Sequence, residues 1–341
     1  MSSVLLRAPA YHAELWQFLA AHENVASRIT SLEIKRVNKL YHSPAPASTC
    51  DAALGNEVCA LLKNFDESSL APPDGGVDEE EKEASDARSK RVHAYREAEL
   101  PLIAAISKMK HLQTFKWDFF PPVHDAQLGR PAQEPPLSSI WQALSQTTVK
   151  DVVVADLARY RRLECADTQA FDHILPIFEG DLFAQKLDKL ESFEISTDAF
   201  NFEPEPFVDI PDQPDLTRLA AFLSQNASKL KSVRLLFQTD GARRPAHLSE
   251  TYASELPPEE RQAGEVKVDE LLESLCGKLA ALQELVVRDV GASEQSVEAF
   301  VQSSPNLQKL EQVPSLGVQY GPKQGVRLST AVKQTLQRRA K

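Results

Sequence analysis

Glycine is scarce in this chain, 12 residues in 341, and neither a G-x-x-x-x-G-K-[ST] loop nor a G-x-S-x-G elbow occurs. Phosphate cradling of the P-loop kind and serine hydrolysis on a nucleophile elbow are therefore not expected. Cysteine is scarce too. Cys50, Cys59, Cys165 and Cys276 are widely spaced and form no C-x-x-C pair, which argues against a disulfide framework or a zinc module and for reduced, structural thiols. Positive charge is in deficit, with 38 basic against 49 acidic residues and a net charge of −11. Phosphate binding needs a concentrated positive field, so nucleic acid is not an expected partner. No apolar run approaches the roughly 18 residues of a membrane span. The opening MSSVLLRAPAYHAELW matches neither a secretory signal nor an Arg-rich transit peptide. The expectation is a cytoplasmic or nuclear protein without membrane contact.

Residues that carry chemistry do not gather either. His22-Glu23 opens an HExxH pattern, but the second histidine position is Ala26, so the two-ligand helix face fails. Asp172-His173 are adjacent, and neighbours on a helix point apart, which fits a surface pair better than a catalytic one. Asn226-Ala227-Ser228 is a glycosylation sequon expected to stay idle without a secretory signal. The reading is of a protein that is not an enzyme, with no catalytic residue, metal ligand set or cofactor.

What is present is a recurring phrase. In LPLIAAISKMKHLQTFKW, from Leu100 to Trp117, the hydrophobic period changes midway. Leu102, Ile103, Ile106 and Met109 fall at helical spacing, and Leu112, Phe115 and Trp117 follow the apolar-x-x-apolar-x-apolar spacing of a turn leading into a short strand. The strand phrase recurs at Ile29, Leu32 and Ile34; Val149, Val152 and Val154; Leu190, Phe193 and Ile195; Leu230, Val233 and Leu235; Leu282, Leu285 and Val287; and, degenerate, at Leu307 and Leu310. Helical stripes precede the copies, the clearest being Leu216, Leu219, Ala220 and Leu223 after a capping Asp215. A unit with one apolar helix face and one apolar strand face needs copies of itself on either side. The predicted fold is α/β, an irregular leucine-rich-repeat solenoid, a ribonuclease-inhibitor-like right-handed α/β superhelix with a parallel concave sheet.

The expected layout is an N-terminal repeat unit and helix over 1–65, with no separate domain in front of it. Next comes an acidic, disordered insertion over 66–91, where Pro-Pro, Gly-Gly and like charges cluster. The array follows over 92–322 with a polar insertion at 239–265, and then a basic capping helix or tail over 323–341, where Val326, Val332 and Leu336 are placed to cover the open end. Positions between the apolar ones in each strand should line the concave face: Glu33, Lys35, Lys116, Asp118, Val153, Glu194, Arg234, Val286 and Arg288. Mixed charge with exposed valine suits a protein partner rather than a small molecule. Trp117 and Trp141, at core phase, read as packing.

The phrases ISKMKHLQTFKWD, SSIWQALSQT with the valine-rich strand after it, and NLQKL resemble the leucine-rich regions of F-box proteins abundant in mushroom-forming fungi. The resemblance covers roughly residues 10 to 315. It implies a scaffold that presents substrate to a cullin-based ubiquitin ligase, with an N-terminal F-box docking on the ligase adaptor. The chain departs from that pattern: no F-box-like helix set precedes the first unit, so adaptor binding would need an F-box in a longer form. The Asn ladder is also missing, with Asp118, Asp156 and Asp198 after the strands instead. An alternative of another class is a leucine-rich regulator of a small GTPase, with Arg159, Arg161 and Arg162 as candidate contacts.

Overall fold

A computed structural model of the chain describes residues 3–35, 47–67, 80–118, 140–155, 181–197, 216–237, 266–314 and 325–340. The chain divides into two compact units, Met1–Val153 and Val154–Lys341. Unit 1 runs β1 (Leu5–Pro9), α1 (Ala13–Ala21), α2 (Glu23–Ala26), β2 (Ser31–Lys35), β3 (Thr49–Cys50), α3 (Asn56–Asn64), α4 (Glu80–Lys108), β4 (Thr114–Trp117), α5 (Ile140–Ser145) and β5 (Asp151–Val154), the last straddling the division. Its sheet has the order β3-β1-β2-β4-β5. The β1–β2 and β2–β4 pairs are parallel, and β3 lies antiparallel on the outer edge of β1.

Unit 2 runs β6 (Ser192–Thr197), α6 (Thr217–Gln225), β7 (Ser232–Phe237), β8 (Val266–Lys267), α7 (Asp269–Leu275), β9 (Glu284–Arg288), β10 (Val290–Gly291), α8 (Glu294–Ser303), β11 (Lys309–Gln312) and α9 (Thr330–Arg339). Strands β6, β7, β9 and β11 pair in parallel and in chain order, while β8 and β10 form a separate parallel pair. The architecture is mixed α/β with mostly parallel strands.

Each strand phrase lands where its spacing places it. Phe115 and Trp117, Val152 and Val154, Phe193 and Ile195, Val233 and Leu235, and Leu285 and Val287 are all buried. So are the residues that lead into the strands, Ile29, Leu112, Val149, Leu190, Leu230, Leu282 and Leu307. At period two these residues share one face of the sheet. Against it pack helices whose buried positions repeat at three and four, such as Leu219, Ala220, Phe222 and Leu223 on α6 and Val297, Phe300 and Val301 on α8.

The lead-in to the strands recurs in its hydrogen bonds. The N–H of the leading apolar residue donates three residues back, as Leu112 does to the Met109 carbonyl (3.0 Å), Leu190 to Leu187 (2.9 Å) and Leu282 to Leu279 (3.1 Å). Two successive N–H groups then converge on one carbonyl at the start of the neighbouring strand. Gln113 and Thr114 donate to Thr30, Lys150 and Asp151 to Gln113, Lys231 and Ser232 to Glu191, Gln283 and Glu284 to Lys231, and Gln308 and Lys309 to Gln283. The lead-ins at Thr30, Gln113, Lys231 and Gln283 thus both donate into one clamp and accept the next, which sets the strand register.

Helix starts follow local chemistry. Ser293 and Ser329 cap α8 and α9 by accepting from the Ser296 and Val332 N–H groups, each at 3.2 Å. On α9, Val332 and Leu336 are buried, and Arg339 Nη1 donates to the Val301 and Ser304 carbonyls at 3.0 and 2.8 Å, tying α9 to the end of α8. His12 caps α1. Its Nδ1 accepts from the Leu15 N–H, so the neutral ring carries its proton on Nε2, 3.0 Å from the Leu61 carbonyl, and the ring stacks on Phe65. Burial holds the His12 pKa below its usual value, against the opposing pull of the Leu61 carbonyl and nearby carboxylates.

One expectation needs correction. Residues 66–91 were expected to form a disordered insertion, yet from Glu80 onward they belong to α4, which continues without a break to Lys108. Glu, Lys, Arg and Ala are strong helix formers, and propensity outweighs the lack of large apolar residues when the helix continues into a packed segment. That segment buries Tyr95, Ala98, Leu102, Ala105 and Ile106 and packs against α1. Pro101 lies inside the helix, where its ring removes one N–H. Asp51 caps the short 3-10 turn Ala52–Leu54 ahead of α3, accepting from the Ala53 N–H at 2.8 Å. Near the start of the chain, Leu5–Pro9 forms the strand β1, for which the sequence offers no strand phrase. The other part of that insertion, 68–79, the insertion 239–265 and Asp215 lie outside the described residues.

Leu230 is fully buried at the lead-in to β7. Leu230→Ala is expected to lower the unfolding free energy by about 2–5 kcal/mol in a urea titration. A loss below about 0.5 kcal/mol, the size of a surface substitution, would mean that the phrase is out of register.

Candidate functional site

The face of each sheet opposite the apolar one is polar, and strand register sets its rows. In unit 1, Arg7, Glu33 and Lys116 are register partners across β1, β2 and β4. The Glu33 carboxylate accepts from Arg7 Nε at 2.7 Å and from Lys116 Nζ at 3.0 Å. Burial disfavours the charged form of Glu33, but the Lys116 ammonium and the Arg7 guanidinium together outweigh it and hold the carboxyl below the usual carboxylate range.

One row further along, Lys35 is register partner of Pro9, and the Asp118 N–H donates to the Ile34 carbonyl at 2.8 Å. Lys35 Nζ lies 2.5 Å from Glu67 Oε2, and the Ser48 hydroxyl donates to Glu67 Oε1 at 2.6 Å. A lysine buried to this depth requires a carboxylate partner. Glu67 supplies one from beyond α3.

Unit 2 carries two comparable rows on β6, β7, β9 and β11. Arg234 Nε pairs with Glu194 at 2.8 Å, and the register continues through Val286 to Glu311. In the other row, Glu284 accepts from the Ser232 hydroxyl at 3.1 Å and from Lys309 Nζ at 2.8 Å, and Lys309 also reaches Glu311 at 2.7 Å. The Lys309 hydrogen bond, against some desolvation and with help from Ser232, holds the Glu284 carboxyl low.

The expected contact surface therefore survives only in part. Lys116, Val153, Glu194 and Arg234 are partly exposed. Glu33, Lys35, Asp118, Val286 and Arg288 are not, at 7%, 1%, 3%, 0% and 8% of full exposure. For Glu33 and Lys35 the reason is pairing, since each charge is drawn against an opposite one. Arg288 is turned onto the backbone, donating through Nε to the Phe237 carbonyl at 2.9 Å and through Nη2 to the Leu236 carbonyl at 3.2 Å. Strand periodicity gives the face on which a residue sits, not whether that face is open at that position.

Other candidate residues have structural work. Asn226 is buried, its side-chain oxygen accepting from the Leu187 N–H at 2.7 Å and its amide nitrogen donating to the Phe222 and Gln185 carbonyls at 2.8 and 3.3 Å, so the sequon amide is engaged inside unit 2. Trp117 and Trp141 pack together, with ring centroids 5.5 Å apart, and Phe115 joins them edge-on to Trp141 at 5.7 Å. Among the described residues no group of three or more His, Cys, Asp or Glu side chains is arranged to hold a metal ion. No helix among them is long and apolar enough to cross a membrane. Asp172, His173, Arg159, Arg161 and Arg162 lie outside the described residues. Sequence reasoning missed the meeting of Cys50 and Cys59, described below; a capping Asp followed by a Gly between the two cysteines is the signal for the tight reversal that joins them.

No protein-family model matches this chain, and no curated protein matches it.

Glu33→Gln leaves Arg7 and Lys116 without their shared counter-charge. The expected loss at neutral pH is about 1–2 kcal/mol, between an exposed ion pair and a buried charged hydrogen bond. A carboxyl whose folded pKa is depressed contributes stability above its unfolded value of 4.5 that is lost as pH falls through the folded pKa. The gap between variant and native chain in urea melts should therefore close on acidification below pH 4.5. A gap independent of pH would assign the loss to packing.

Proposed function

We propose that this protein is a non-catalytic protein-binding scaffold of the irregular leucine-rich-repeat solenoid type, ribonuclease-inhibitor-like and right-handed, whose polar sheet face receives a protein partner. The recurring strand lead-in supports this reading most strongly. An apolar residue bonded three positions back, followed by two N–H groups on one carbonyl of the neighbouring strand, is what a chain of stacked helix–strand units requires. Parallel strands in chain order within each unit agree with it.

The binding positions under this proposal are Lys116 and Val153 in unit 1 and Glu194 and Arg234 in unit 2, the partly exposed residues among those expected to face a partner. Their surroundings are already charge-compensated, by Glu33 at Lys116 and by the Glu194–Arg234 pair itself. A partner gains by shape fit and exchange of paired charges, which favours a protein surface over a compact anion or cation. The resemblance to fungal F-box leucine-rich regions extends the proposal to substrate recognition for a ubiquitin ligase, with adaptor docking supplied by an F-box in a longer form of the chain.

The test is quantitative co-purification from the source cell of the chain, and of an Arg234→Glu, Lys116→Glu variant, each tagged at the native gene so that a longer form carrying an F-box is recovered. The expected result is recovery of the cullin-ligase adaptor with a substrate protein, and a drop of about tenfold or more in substrate with the variant, as for loss of a central charged contact. Substrate retained undiminished would move binding off this face. Absence of the adaptor would remove the ligase link and leave the scaffold.

A further inference from the structure

Cys50 and Cys59 are nine positions apart and their sulfurs meet. Cys50 ends β3, Asp51 caps the 3-10 turn Ala52–Leu54, and Gly55 at a φ of 93° reverses the chain into α3, which carries Cys59. A positive φ of this kind favours glycine, so the reversal is built into the sequence. The Cys59 S–H donates to Cys50 Sγ at 2.7 Å, and the Cys50 S–H to the Asp51 carbonyl at 3.3 Å. That contact leaves a small movement of either side chain between the two thiols and the roughly 2.05 Å of a covalent bridge. Both side chains are half-buried, within reach of a small reagent.

We propose that Cys50 and Cys59 form a modification site, a dithiol that a low-molecular-weight disulfide such as oxidised glutathione converts to an intramolecular disulfide. In the first exchange the deprotonated Cys59 sulfur attacks the reagent, forming a mixed disulfide and releasing one glutathione thiolate. The Cys50 sulfur then attacks Cys59 Sγ, forming the Cys50–Cys59 bond and expelling the second glutathione thiolate. The two protein thiol protons end on the two released glutathiones. The protein loses two protons and two electrons, and the reagent gains them. Burial, and then the neighbouring Cys59, push the Cys50 thiol up to about 12, which makes Cys50 a poor first attacker; its place beside Cys59 Sγ, and not its acidity, carries the second step.

The bridge would tie β3 to α3. Because β3 covers the outer edge of β1, pairing Leu6 with Cys50 and Arg7 with Thr49, oxidation would lock the cover over an otherwise open sheet edge.

The experiment equilibrates the full native chain in glutathione buffers of increasing oxidised fraction, quenches with N-ethylmaleimide and maps the digested peptides by mass spectrometry. The expected product is a Cys50–Cys59 linked peptide lacking two hydrogens. Cys50→Ser should convert it to a stable glutathione adduct on Cys59, and Cys59→Ser should abolish the linked peptide, leaving Cys50 able to carry only a single glutathione adduct. Should either variant fail to fold, the native-chain map decides alone. Both cysteines still alkylated at a poise that modifies Cys276, separate glutathione adducts on the two, or a bridge from either to Cys165 or Cys276 would overturn the proposal.

Discussion

Burial of three apolar residues per strand phrase is the constraint on which the other features depend. In β4 these are Leu112, Phe115 and Trp117; in β7 they are Leu230, Val233 and Leu235. Each contributes roughly 1.5–3 kcal/mol when removed from water, but only while a neighbouring strand and a helix cover it. Register converts this non-directional gain into a specific order. Phe193 lies beside Val233 and Val233 beside Leu285, so a slip by one residue would place Glu194 and Arg234 against the core. The paired N–H groups on the Glu191 and Lys231 carbonyls hold the slip off at the strand starts.

The opposite face follows from the first. Once alternate residues are committed inward, their neighbours form register rows, and charges in a row stand close enough to pair. Arg7, Glu33 and Lys116 alternate in sign, as do Glu194 and Arg234, and Ser232, Glu284 and Lys309 form a mixed polar row. A sheet face that neutralises its own charges is little use for gathering phosphate or metal ions. Burial of Lys35 with Glu67 extends the pairing to residues with no outward role.

Much of the fold was legible because strand and helix periods differ. The change of period after Met109 located β4, and the same spacing located β2, β5, β6, β7, β9 and β11. The miss at β1 has a physical reason: Leu5–Pro9 supplies only Leu6 and Ala8 to the core and ends in proline, leaving too little alternation to read. The start of α4 was missed because a block of like charge signals disorder when the packed helix it leads into is ignored. The polar face was legible in its membership and not in its exposure. Glu67 is far from Lys35 in sequence and Phe237 is far from Arg288, so no local pattern announces that these partners withdraw the two cations from the surface. The cysteine pair was hidden for a related reason, since spacing rules for metal and redox motifs do not include a strand end joined to a helix through a turn.

The central claim, that parallel strands pair in chain order about a buried apolar face, is tested most directly by amide hydrogen exchange on the native chain. Strand β7 has hydrogen-bonded neighbours on both sides, β6 and β9, and the account predicts that amides from Val233 to Phe237 exchange among the slowest in the chain, near the limit of global unfolding. Exchange of these amides as fast as that of the short helix α2 would contradict it.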